Sequence, residues 1–155
     1  MRLIFGVILL TAHMLVSAQQ ADSLQYCIGA TGVGVGGYDV VSYFQGNTPE
    51  VGRLDILAKH DGVVYFFSSE ANRKAFIANP QKFLPEFGGW CSMTLAMGRA
   101  TRPKYDNFLI RDEKLYLFER TLSVNGKELW QKDPARNQQV AAKNYQQYRT
   151  TGKIQ

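Results

Sequence analysis

The sequence predicts an α+β domain of small antiparallel β-hairpins packed with helices. Three observations carry this. Asp61-Gly62, a tight-turn pair, separates two runs rich in aliphatic and aromatic residues. A serine-capped run follows and stops at Pro80. Asp133-Pro134 has the form of an N-cap followed by proline at the first helical position, and it opens a long final helix. The 155 residues are 45% hydrophobic and 20% charged with no low-complexity tract, which suits one domain with its own core. Two cysteines are too few for a disulfide-dense miniprotein or for a site made of four thiolates.

Residues 1–18 read as a secretory signal peptide. Arg2 precedes the apolar run Leu3–Leu10, and small residues lead to a cut near Ala18. Thr11, His13 and Ser17 interrupt the run, which is too short to span a bilayer comfortably. The protein is therefore expected to be exported, periplasmic or extracellular, and not integral to a membrane. Residues 19–33 read as a flexible, glycine-rich lead-in, 34–148 as the domain and 149–155 as a tail. Gly32, Gly34 and Gly37 fit the G-x-G-x-x-G spacing, but Tyr38–Phe44 behind them has a strand-like composition where a dinucleotide site needs a helix.

Ile56–His60 and Val63–Phe67 are predicted to pair across Asp61-Gly62. Ser68 or Ser69 then caps a helix over Glu70–Asn79. Ala71, Ala75 and Ala78 would form its close-packing face, with Phe76 and Phe83 in the core. A second hairpin is predicted from Asn107–Arg111 and Leu115–Glu119, turning at residues 112–114. The last helix should run to about Tyr148 with Val140, Ala141, Tyr145 and Tyr148 inward. No internal repeat is visible. The formal charge is +5, and its basic excess lies beyond residue 98, spread over strands and a helix. That reads as solvated surface, and no nucleic-acid partner is expected.

Gly36–Phe44, Val64–Phe76 and Asn79–Pro85 together resemble the YHS domain, and Phe87-Gly88-Gly89-Trp90-Cys91 with Gly126–Asn144 resembles its exported, stand-alone bacterial form. The resemblance implies a metal-knuckle fold whose thiolate ligands fall here on Ser42, Ser68 and Asn72. None of these is a thiol, so zinc at the knuckle positions is not expected. Packing by Tyr38, Tyr43, Phe44, Phe67, Phe76 and Phe83 is expected to stabilise the fold in its place.

Cys91 is the residue around which function is expected. It can be a buried thiol, or half of a Cys27–Cys91 disulfide in an oxidising compartment. It can also join Met93, Met97 and His60 in a soft-donor set suited to copper as Cu(I). No catalytic residue is assigned, although thiol chemistry at Cys91 stays open. The leading expectation is a non-catalytic module that binds a small ligand or soft metal. The alternative is a structural or protein-interaction module, with the disulfide and no metal.

Overall fold

Both hairpins close through two consecutive residues of positive φ: Asp61 (48°) and Gly62 (78°), then Asp112 (51°) and Glu113 (58°). This handedness matches the twist of paired strands. A computed structural model describes residues 22–155, and the expected signal peptide lies outside them. In chain order the elements are β1 (Arg53–His60), β2 (Val63–Phe67), α1 (Glu70–Ala78), α2 (Pro80–Phe83), α3 (Ser92–Ala96), β3 (Lys104–Arg111), β4 (Lys114–Phe118), α4 (Gly126–Lys132) and α5 (Pro134–Thr151). The class is α+β, with β1 paired to β2 and β3 to β4, each antiparallel.

The chain repeats itself, contrary to the reading that it holds no repeat. Val35, Gly36 and Gly37 have φ of 42°, 62° and 85°; Phe87, Gly88 and Gly89 have 55°, 61° and 84°. A hairpin follows each of these turns. In the first, Arg53 pairs with Phe67 and the register then jumps to Leu57 opposite Phe66. In the second, Lys104 pairs with Phe118 and the register jumps to Phe108 opposite Leu117. Each hairpin leads to a helix and then to a proline that opens the next helix. Asn79 before Pro80 has φ −152° and ψ 77°, and Asp133 before Pro134 has φ −152° and ψ 75°. The side chains of the two halves differ, and the correspondence lies mainly in backbone geometry.

Packing makes the halves unequal. β2 alternates, with Val63, Tyr65 and Phe67 buried and Val64 and Phe66 half-buried. This is the pattern of a strand with one face on a core. β4 is buried on both faces. Leu115 and Leu117 join the first core with Val40, Tyr43, Phe67 and Phe76. Tyr116 and Phe118 join the second with Phe87, Leu95, Trp130 and Ala141.

Ser69 caps α1 by accepting the Asn72 N–H, and Phe76 (1% exposed) and Phe83 are buried as predicted. The alanine face is a correction: Ala71, Ala75 and Ala78 are exposed, and the buried stripe is Asn72 with Phe76. α5 carries Ala141, Asn144 and Tyr145 inward, while Val140 and Tyr148 are only half-buried. It continues to Thr151 and ends on Gly152 at φ 71°. Of residues 22–33, expected as flexible, 24–27 are tied to the second half, while Gly32 and Val33 pair with Val64 of the first. Cys27 is 3% exposed and its N–H donates to the Gly88 carbonyl at 2.9 Å; the Trp90 indole N–H donates to the Leu24 carbonyl at 3.1 Å. Among the described residues no helix is long and apolar enough to cross a membrane.

Candidate functional site

Ser42, Ser68 and Asn72 do converge, and what they converge on is Asp39. Its fully buried carboxylate accepts the Val41 N–H on Oδ1 (2.9 Å). On Oδ2 it accepts the Ser68 N–H (2.8 Å), the Ser68 hydroxyl (2.8 Å) and the Asn72 amide (2.7 Å). Ser42 donates to the Asp39 carbonyl (2.7 Å) and accepts the Glu50 N–H (2.9 Å). Zinc does not fit this donor set: two hydroxyls and a carboxamide surround one carboxylate that is already satisfied. This polar network stands beside the expected aromatic packing: Tyr43, Phe67, Phe76 and Phe83 are in the first core, with Tyr38 and Phe44 against it.

The second half has Cys91 where the first has Asp39. Cys91 is fully buried and caps α3, its Sγ accepting the Thr94 N–H at 3.4 Å and the Glu119 N–H at 3.1 Å. The Glu119 bond repeats the one from the Ser68 N–H to Asp39, since both tie the residue after the second strand back to the loop before the hairpin. The expected disulfide is not formed. Cys27 and Cys91 are both buried free thiols, one beside the Tyr105 hydroxyl and the Arg102 guanidinium, the other held by backbone amides. Burial pushes the Cys27 thiol up, the direction of an unreactive cysteine.

The soft-donor set is not assembled either. Met93 and Met97 line an open groove of about 370 Å³, while Cys91 is sealed beneath and does not line it. His60 lies at the tip of the first hairpin. Its ring is edge-on to Phe76 at 6.1 Å, and its Nε2 is 3.3 Å from the Gln81 amide and 3.7 Å from Asp61 Oδ2. Among the described residues no three His, Cys, Asp or Glu side chains converge as metal ligands.

A different place has the form of a binding site. A cleft of about 400 Å³ lies at the seam between the halves, walled by Tyr26, Asp61, Tyr65, Glu86, Phe87 and Tyr145. Its parts come from distant elements: the packed lead-in, the first hairpin, the Phe87 turn and α5. Tyr65 on β2 is 2% exposed, and its ring tilts against Phe76 at 5.1 Å. It also lies so close to Gly34 that a Cβ there would be 2.6 Å from Tyr65 Cε1. Held on both sides, the Tyr65 hydroxyl lines the cleft and makes no hydrogen bond among the described residues. Its neighbours are committed. The Tyr26 hydroxyl donates to Asp61 Oδ2 (2.9 Å) and accepts the Gln25 amide (2.9 Å), and the Tyr145 hydroxyl donates to the Gln25 carbonyl (2.8 Å). Burial raises Tyr26 and Tyr145 to about 12, so these phenols are proton donors at neutral pH.

Comparison with family models, with curated proteins and with solved structures found no match. Sequence reasoning missed Tyr65, Glu86 and Tyr145 as site residues because nothing in their spacing brings them together. The one legible signal was Tyr65 itself, on the inward register of a strand whose other inward residues, Val63 and Phe67, have no polar atom in their side chains.

Proposed function

We propose that this protein is a non-catalytic ligand-binding module, YHS-like and exported, and that its ligand sits in the seam cleft and not at Cys91. One observation carries the reading. Tyr65 is 2% exposed, and its hydroxyl, with no hydrogen bond to the described residues, is left free at the cleft to bond a ligand. A concave space with aromatic walls and a few convergent polar groups is the usual form of a small-molecule site. Cys91, the thiol left open for chemistry, and His60 stand on different elements with different neighbours. That separation favours binding over chemistry.

The test is mass spectrometry of the protein purified from the cells that make it, native and then denatured, beside Ala142→Trp. Ala142 lines the cleft from α5, and an indole there fills it. The expected result is a retained small molecule that Ala142→Trp loses while melting as the wild type does. A molecule retained equally by the variant, or no retained molecule together with no thermal shift from a low-molecular-weight cell extract, overturns the reading.

A further inference from the structure

We propose that the seam cleft takes a small organic cation, an amine or diamine, held between the carboxylates of Asp61 and Glu86 with the Tyr65 hydroxyl accepting one of its N–H bonds. This rests on the ligand-module reading and adds the charge class of the ligand. The cleft wall contains two carboxylates and neither lysine nor arginine, in a chain whose formal charge is +5. A local potential opposite in sign to the whole molecule selects its ligand by charge.

The basic side chains nearest these carboxylates lie outside the cleft wall. Lys114 Nζ is 3.5 Å from Glu86 Oε1, with about half its side chain exposed, and His60 Nε2 is 3.7 Å from Asp61 Oδ2. Arg149 lies over the Tyr145 ring, 5.9 Å from its centroid. Long or exposed pairs of this kind are weak and screened by salt, so a buried ammonium group competes with them readily. The acidic field also registers on the phenols. Burial is the larger cause, but Asp61 adds to the rise of Tyr26 and Tyr65, and Glu86 to that of Tyr145.

The remaining walls suit the same ligand. Phe87 and Tyr145 meet at 5.8 Å and 63°, and aromatic faces attract a cation that has left water. An anion would meet two carboxylates at once. A neutral sugar could use the amides of Gln25, Gln81 and Gln146, but would gain nothing from the charge of the two carboxylates.

Calorimetric titration of the purified protein with putrescine, glucose and succinate as separate probes tests this. Putrescine is expected to bind, glucose and succinate are not, and added salt should weaken the binding. Asp61→Asn and Glu86→Gln should each lower the affinity about tenfold, the scale of one charge-assisted hydrogen bond. Asparagine tolerates the φ of 48° at position 61, so Asp61→Asn keeps the turn. Putrescine binding unchanged in both variants places the cation elsewhere and overturns the proposal. Binding of glucose or succinate, lost in Ala142→Trp, with none of putrescine overturns the cation but leaves the ligand module standing. No probe bound and no molecule retained from cells overturns both.

Discussion

Asp39 and Cys91 show how one buried acceptor can do the same job with different chemistry. Each receives the backbone N–H that follows the second strand of its hairpin, at 2.8 Å for the carboxylate and 3.1 Å for the sulfur. Asp39 also takes a second backbone N–H, a hydroxyl and an amide. Asp39→Ala should therefore strand several buried donors and cost at least about 3 kcal/mol in denaturant unfolding. A loss below about 1 kcal/mol would mean that water satisfies the site. The cleft phenols give a sharper contrast. Tyr145→Phe removes the bond to the Gln25 carbonyl and should cost about 1 kcal/mol, while Tyr65→Phe removes a hydroxyl with no bond to lose and should be neutral or stabilising. Equal losses in the two variants would make Tyr65 a structural tyrosine. Ser42, Ser68 and Asn72 were singled out in the sequence through the expected resemblance to the YHS domain, and the structure groups them around Asp39. Asp39 was not, because a single carboxylate beside a turn looks like any other turn acid.

Hairpins, caps and the final helix were readable because their signals are local: Asp61-Gly62, Ser69, Pro80 and Asp133-Pro134 each fix a few residues by their own stereochemistry. Two features escaped because their causes are not local. The duplicated turns place Val35 and Phe87 at positive φ, where side chains are disfavoured, and composition does not announce such a backbone. The lead-in looked loose because its glycines are numerous, yet Gly88 gives it a seat. A Cβ at Gly88 would strike the Gln25 carbonyl and stand 2.8 Å from the Tyr145 hydroxyl. Gly88→Ala is thus expected to cost about 1–3 kcal/mol through crowding, with further strain from the φ of 61°. It should also lift residues 22–28 from the second half, which limited proteolysis reads as a new early cut. An unchanged digestion pattern would show that the lead-in is held by other contacts.

The molecule as a whole depends on tyrosines that stay protonated. Burial raises Tyr26, Tyr116 and Tyr145 from 10.0 to about 12, and it raises Tyr43, Tyr65 and Tyr105 as well. Above pH 10.0 the unfolded chain loses phenolic protons that the folded chain keeps, so the folded state binds more protons and stability falls as pH rises. The loss is expected between about pH 10 and about pH 12, followed by denaturation midpoints alongside tyrosinate absorbance. Tyrosines that all ionise together near pH 10.0 in the folded protein would contradict it. β4 carries a separate consequence, for the order in which the molecule can be made. Leu115 and Leu117 complete the core that Val40, Tyr43, Phe67 and Phe76 begin, so the first half emerges from synthesis without the strand that closes it. Contacts this distant in sequence slow folding and leave apolar surface exposed meanwhile. A fragment ending at Leu84 should accordingly show no cooperative melting, whereas the whole chain should refold as one unit, and a fragment that melted on its own would make the two halves independent folding units.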